Sequence, residues 1–270
     1  MSVKRVLSYC LFKNHPQHGE YRPYYWCGIP GLVRANAHLF PGWETRIHHD
    51  SCIDAELSEQ LRRYRDAGLV NCIYVEENSA CCRSMLWRTR PLWDPEVEIV
   101  MCRDLDSISV YRERQMVEEF IQSGMAAHAI NDNPQHTAFM MGGMVGFRTA
   151  EARAILDFLP TWDSFVGSSS TLHHPTGGED QILMDHLMYP RLKRNMLAHR
   201  IAGLALGYDD IAKATNTVTD IAIPGVDPKF AKTNEFCIHV GASGFPVPPV
   251  VKYFNEHGDP EIMKVIRSCE

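Results

Sequence analysis

Two acids one residue apart, Asp104 and Asp106, close the hydrophobic run Val97–Ser107 (VEIVMCRDLDS). Side chains two apart on an extended chain point the same way. Both carboxylates can therefore face one ion while Leu105 turns into the core. Carboxylates suit Mg²⁺ or Mn²⁺, which bind through one or two protein acids plus substrate phosphate oxygens. A pair placed like this would hold a nucleotide diphosphate. Two solvated acids at a strand end would give the same pattern.

Other chemistry-bearing residues lie on either side of this pair. Arg88 and Arg90 precede the acid strand and could pair with Asp106 or with a diphosphate, since the planar guanidinium donates two parallel bonds; a structural ion pair is the equal alternative. Gly142 and Gly143 interrupt the strand-like FMMGGMVGF, and glycine inside a strand often marks close approach of a ligand or backbone. Asp132 and His136, in NDNPQH, could contact donor or acceptor hydroxyls, although an Asx turn before Pro134 explains Asp132 equally well. Glu179, Asp180 and Gln181 open a helix. An acceptor hydroxyl that must lose a proton needs a carboxylate in reach, which Asp180 or Glu179 would supply, while acids also favour helix N-termini through capping and the dipole. The five tryptophans, and His173-His174 in a long loop, could line a sugar site; tryptophan is more often core.

The elements that must position these residues alternate. Val3–Phe12, Thr45–His49, Leu69–Val75 and Val97–Cys102 read as strands; Ile29–Phe40 and Ser51–Ala67 read as helices, the second stopped by Gly68. Met85–Trp93 reads as a helix or turn. This order implies β–α–β units in a mostly parallel, buried sheet, whose ligands bind at the carboxyl ends of strands, where Asp104 and Asp106 fall. Further on, Val110–Ile121 fits a helix and Phe139–Phe147 a glycine-rich strand. Thr149–Leu159 fits a helix capped by Thr149, Pro160–Gly178 a long loop, Gly177–Leu187 a helix ended near Pro190, and Phe236–Val240 a late strand carrying His239. With no repeat, low-complexity tract or linker, residues 1–270 read as one domain.

A 45% hydrophobic content suits a globular core, and a formal net charge of −6 disfavours a surface built for many phosphates, apart from a local patch around Arg83, Arg88 and Arg90. Nine cysteines include no C-x-x-C, and the odd count suits a reducing compartment. The N-terminal apolar stretch reads as a first core strand rather than a signal peptide, and no run reaches the length of a membrane span. A cytoplasmic protein is expected.

Taken in order, these landmarks resemble the nucleotide-sugar-dependent glycosyltransferases of the GT-A fold, closest in layout to the retaining galactosyltransferase and glycogenin-like group. The stretch from Asp106 through Arg112-Glu113 to Asp132, His136 and Gly142-Gly143 also resembles a set of bacterial and viral glycosyltransferase-like proteins. The resemblance implies an α/β, Rossmann-like, mostly parallel sheet flanked by helices. It implies a metal, Mn²⁺ or Mg²⁺, held by Asp104, Asp106 and His239, with Gly241 following the histidine. It further implies that Arg88, Asp132, His136, Gly142 and Gly143 contact the donor, and that Asp180 and Gln181 line the sugar and acceptor site. The activity implied is sugar transfer from a nucleotide diphosphate sugar, a UDP-sugar favoured, to an acceptor hydroxyl, with retention slightly favoured. A glycan is the favoured acceptor, and a modified DNA base is conceivable for a viral chain. Two rivals stand beside this reading. One is a metal-dependent nucleotidyl- or phosphoryl-transfer enzyme, although no G-x-x-x-x-G-K-[ST] is present. The other is a sugar-binding protein of the same fold without turnover.

Overall fold

The computed structural model describes residues 3–12, 14–15, 19–20, 29–76, 82–131, 136–168, 179–200 and 219–222. Its centre is an eight-stranded sheet. In chain order the elements are β1 (Lys4–Leu11), a short antiparallel pair β2 (Asn14–His15) and β3 (Gly19–Glu20), α1 (Ile29–Leu39), β4 (Glu44–His49), α2 (Ala55–Asp66) and β5 (Asn71–Tyr74). A 3₁₀ segment, Cys82–Trp93, precedes β6 (Val97–Arg103), α3 (Tyr111–Ser123), β7 (Ala127–Asn131), β8 (Met144–Arg148), α4 (Thr149–Ile155) and α5 (Trp162–Gly167). Next, α6 (Glu179–Leu183) runs through a π turn, Met184–Met188, into α7 (Tyr189–Leu192), followed by β9 (Met196–Arg200) and β10 (Thr219–Ala222).

The strand order is β10-β9-β7-β8-β6-β1-β4-β5. Every neighbouring pair is parallel except those made by β8, which runs against both β6 and β7. This is the α/β, Rossmann-like, mostly parallel sheet flanked by helices that the alternation of elements implies. Strand residues feed the two faces in turn. Leu7, Tyr9, Leu11, Ile99 and Met101 pack with α1, α2 and α3; Val6, Cys10, Val100 and Cys102 pack with the 3₁₀ segment, α4, α5 and the π turn. A strand apolar on both faces is the signature of a sheet covered on both sides.

Several local expectations hold. Leu57 and Leu61 are the buried face of α2, Asp54 caps its start by accepting from the Leu57 amide at 2.8 Å, and Gly68 ends it with φ of +70°. Others do not. The helix begins at Ala55 rather than Ser51 because the side chain able to cap it is Asp54. Phe139–Phe147 is a strand only from Met144; the residues before it form a turn, with the Met144 amide donating to the Met141 carbonyl at 2.9 Å. Thr149 does not cap α4 from outside but is its first residue, its hydroxyl bonded to the Val97 carbonyl. The expected loop Pro160–Gly178 contains α5, whose start is closed by a reciprocal Thr161–Ser164 capping box. The chain continues as helix past Pro190, because the preceding π turn carries the Tyr189 amide back to the Met184 carbonyl and absorbs the proline.

Sequence periodicity also misses β7 and β9. Their cores carry His128 and His199, both fully buried, with His128 Nε2 2.8 Å from His199 Nδ1 and His199 Nε2 2.8 Å from a Glu119 carboxylate oxygen on α3. Burial holds both imidazoles below the usual histidine range.

A second buried network ties α1 to the segment after β6. Asn36 Nδ2 donates to the Tyr9 hydroxyl at 2.9 Å and to Thr45 Oγ1 at 3.1 Å, and Ser109 Oγ donates to Asn36 Oδ1 at 2.8 Å. Asn36→Ala strands these buried partners and is expected to lower unfolding free energy by about 2–3 kcal/mol, read from urea denaturation. A loss below about 0.5 kcal/mol, the scatter of neutral surface changes, would contradict the role given to this network.

Candidate functional site

Asp104 leaves the carboxyl end of β6, beside the place where β1 also ends, so the site sits where parallel sheets place ligands. The two acids are not set by strand alternation. The strand stops at Arg103, and Asp104–Ser107 is a turn in which the Ser107 amide donates to the Asp104 carbonyl at 3.2 Å. Leu105 still enters the core as expected. Asp106 is largely buried beside Asp104, and loss of solvation followed by repulsion from Asp104 pushes its carboxyl up to about 7.

Arg88 organises the rest. Its side chain is 1% exposed, and its two terminal nitrogens donate to different carboxylates, Asp104 and Asp180. Asp180, in the first turn of α6, is fully buried, whereas the Asp104 side chain keeps 32% of its surface. Arg88 therefore pairs with Asp104 and Asp180, and its charge also acts on Asp106, the partner considered from sequence. A guanidinium taken out of water needs this double counter-charge, and removing one partner of such a pair typically costs about 3–5 kcal/mol. The second Asp180 oxygen, Oδ1, is buried without a hydrogen-bond partner.

Gly142 and Gly143 cover the triad closely. A Cβ on Gly142 would overlap the Asp180 carboxylate and the Arg88 guanidinium, and one on Gly143 would overlap the Asp104 carboxylate. The close approach read from the sequence is thus real, with the protein's own acids as the nearest neighbours. From beneath, Arg103 Nη1 donates to the Gly143 carbonyl at 3.0 Å, while its Nε pairs with Glu113 at 2.9 Å, both side chains being buried.

The segment leading into the turn is pinned from two sides. Asn131 Nδ2 donates to the carbonyls of His136 and Ala138 at 3.0 and 2.8 Å, and the Asp185 carboxylate accepts from the Phe139 and Met140 amides at 2.9 and 2.7 Å. Phe139 also stacks on Tyr189, ring centroids 4.0 Å apart. Sequence reasoning passed over Asp185 and Asn131, and named Glu113 only as part of the Arg112-Glu113 stretch. For Asp185 the available signal was a polar residue set among apolar ones, in ILMDHLM. Burial pushes the Asp185 carboxyl up to about 7, against the pull of its two amide donors, His186 and Arg200.

Of the sequence-predicted residues, the structure brings together Asp104, Arg88, Asp180, Gly142 and Gly143, with Asp106 beside Asp104. Gln181 follows Asp180 on α6 and is half-buried. His136 flanks the pinned segment, its carbonyl accepting from Asn131 Nδ2. Glu179 starts α6, its side chain outside the described set, and Asp132, His173, His174, His239 and Gly241 lie outside the described residues. Arg90 lies over the Trp162 ring, 4.0 Å from its centroid. Trp43, Trp87, Trp93 and Trp162 pack against other side chains of the core. Among the described residues, no three His, Cys, Asp or Glu side chains form a cluster able to hold a metal ion, and no helix is long and apolar enough to cross a membrane.

No protein-family model matches the chain, and no curated protein matches it. Two solved structures are similar in outline. A Staphylococcus aureus TarS structure, residues 1–349, has a TM-score of 0.41 and 14% identity, covering 68% of this chain, which spans 55% of the TarS chain. The mannosyltransferase PcManGT from Pyrobaculum calidifontis, in complex with GDP-Man and Mn²⁺, has a TM-score of 0.44 and 11% identity over 99% of this chain and 73% of its own. At these scores neither likeness bears on the reaction.

Two outcomes follow from the site's geometry. Gly142→Ala and Gly143→Ala are each expected to destabilise the fold by about 1–3 kcal/mol through overpacking, whereas Gly167→Ala, which meets open space, should be close to neutral. Equal melting temperatures for all three would contradict the packing described. For Asp185, a folded-state pKa raised above the unfolded value stabilises the protein below the unfolded value, and that contribution is lost as pH rises through about 7. The stability advantage of wild type over Asp185→Asn should therefore shrink between pH 5 and pH 8 in denaturant titrations. An advantage that grows with pH would show that the ionised form is the favoured one.

Proposed function

We propose that the chain is a metal-dependent glycosyltransferase that moves a sugar from a nucleotide diphosphate sugar, a UDP-sugar favoured, to an acceptor hydroxyl. The observation that carries this reading is the Asp104–Arg88–Asp180 bridge beneath the Gly142–Gly143 turn at the carboxyl end of β6. It joins a partly exposed acid, fit to meet a cation, to a buried acid that holds the arginine between them in one fixed frame. An enzyme that positions a polyhydroxylated substrate needs such a pre-set frame, because orientation supplies a large share of the rate.

Asp104 and Asp106 suit Mn²⁺ or Mg²⁺ in donor type and charge, and a divalent ion would displace the proton that Asp106 holds near neutral pH. His239 is the proposed third ligand. When bound, the metal would neutralise charge developing on the departing diphosphate. The chain's own residues do the rest. Asp180, fully buried, anchors Arg88 and through it Asp104, and is proposed to set the donor-sugar side of the site from behind rather than by open contact. Gly142 and Gly143 make room for the Asp180, Arg88 and Asp104 side chains that would face the donor, and Asp132 and His136, a few residues earlier in the sequence, are proposed to contact it. A carboxylate as enclosed as Asp180 is poorly placed to take an acceptor proton, which favours retention, with Gln181 rather than an acidic base nearest the reacting centre. A glycan hydroxyl is the favoured acceptor, since the net charge of −6 works against binding DNA.

The test is a screen of nucleotide diphosphate sugars for Mn²⁺-dependent hydrolysis, first with wild type and then with Asp104→Asn. The variant is expected to lose at least 100-fold, about 2.7 kcal/mol of transition-state stabilisation. Donor binding without turnover in wild type would point instead to a sugar-binding protein of this fold. Full activity in Asp104→Asn would remove the acid from the site.

A further inference from the structure

The Asp104 carboxylate, proposed above as a metal ligand, already carries a cation. One nitrogen of the buried Arg88 fork donates to Asp104 Oδ1, and the other donates to Asp180. The second Asp104 oxygen lies against Gly143, where not even a methyl group fits. The carboxylate thus has a guanidinium on one oxygen and backbone beside the other, while 32% of the side chain stays exposed. Asp180, fully buried, keeps one oxygen without a partner, so the triad holds more acceptor capacity than a single arginine fills.

We propose that Arg88 is the resident cation of this site and competes with the divalent metal for Asp104. Two cations on one carboxylate repel strongly in a poorly solvated site, so the metal gains Asp104 only as the Arg88–Asp104 arm is released. A nucleotide diphosphate supplies an alternative partner for the freed guanidinium, because phosphate oxygens accept its fork as a carboxylate does. Metal and nucleotide thus bind cooperatively through Arg88, and by linkage each raises the affinity of the other by the same factor. The inference rests on the reading of Asp104 as a metal ligand. Its sign is unusual for an arginine in a donor site: removing the positive charge strengthens metal binding.

Mn²⁺ titration of the full chain, with free Mn²⁺ followed by electron paramagnetic resonance, tests this without any turnover. Arg88→Gln is expected to bind Mn²⁺ at least tenfold more tightly than wild type in the absence of nucleotide. Arg88→Lys keeps the charge but cannot fork to both acids, and it should bind several-fold more tightly. Asp180→Asn retains the Arg88–Asp104 arm and should stay within about threefold of wild type, while Asp104→Asn should lose the site in every background. UDP should tighten Mn²⁺ binding at least tenfold more in wild type than in Arg88→Gln, where only the direct phosphate–metal contact couples the two. If folded Arg88→Gln binds Mn²⁺ no more tightly than wild type, or if UDP couples equally in both, the competition is refuted. Should Arg88→Gln not fold, an Arg88→Lys affinity equal to that of wild type refutes it alone. Absence of Mn²⁺ binding in every protein, with or without UDP, removes Asp104 as a ligand and the inference with it.

Discussion

A guanidinium buried to 1% exposure must have its charge met inside the protein, and Arg88 meets it with two carboxylates from distant parts of the chain. Asp104 arrives at the end of β6 and Asp180 at the start of α6, on the face of the sheet where the 3₁₀ segment carrying Arg88 packs. The pair of bonds therefore fixes how helix, strand and 3₁₀ segment meet. It also explains the glycines above, since any side chain at Gly142 or Gly143 would have to enter the volume of the ion-paired groups.

Around that bridge lies a second set of buried polar contacts among strands, helices and the loops they border. Arg103 and Glu113 support the Gly143 carbonyl from the α3 side, Asp185 and Asn131 clamp residues 136–140, and Asn36 links α1 to Ser109 just past the two acids. Charged and amide side chains are costly to bury unless their partners are complete. Placing so many within a few residues of one carboxylate turn produces a rigid frame, and such preorganisation is what a site needs to hold a polar ligand in one orientation.

Strands β1, β4, β5 and β6 were legible, with β2 and β3 missed; β1 and β6 were plainest because apolar runs covered on both faces leave an unambiguous pattern, broken sharply in β6 by Asp104. The diglycine also announced a close approach. Less legible were β7 and β9, whose interiors carry His128, Asn131 and His199; these are buried because each has a specific partner, not because of hydropathy. The same holds for Arg88 and Asp180. Arg88 reads alone as an ion-pair or diphosphate contact and Asp180 as a helix-start acid or sugar contact, and only the fold shows that they face one another 92 residues apart. Helix ends were missed where a short-range bond decided them, at Asp54, in the Thr161–Ser164 box and at the π turn before Pro190.

Asp104 and Asp106 thus lie on an acid turn paired with an internal arginine, at the carboxyl end of a strand of the parallel sheet. Most direct for this account is a crystal structure grown with Mn²⁺ and a nucleotide diphosphate, with the metal located by anomalous scattering. The account predicts a peak within about 2.3 Å of a carboxylate oxygen of Asp104 or Asp106, near the coordination distances of small divalent ions, with the diphosphate beside it at the carboxyl end of β6. A well-defined Mn²⁺–diphosphate complex bound elsewhere on the protein, with the two acids bare, would contradict it.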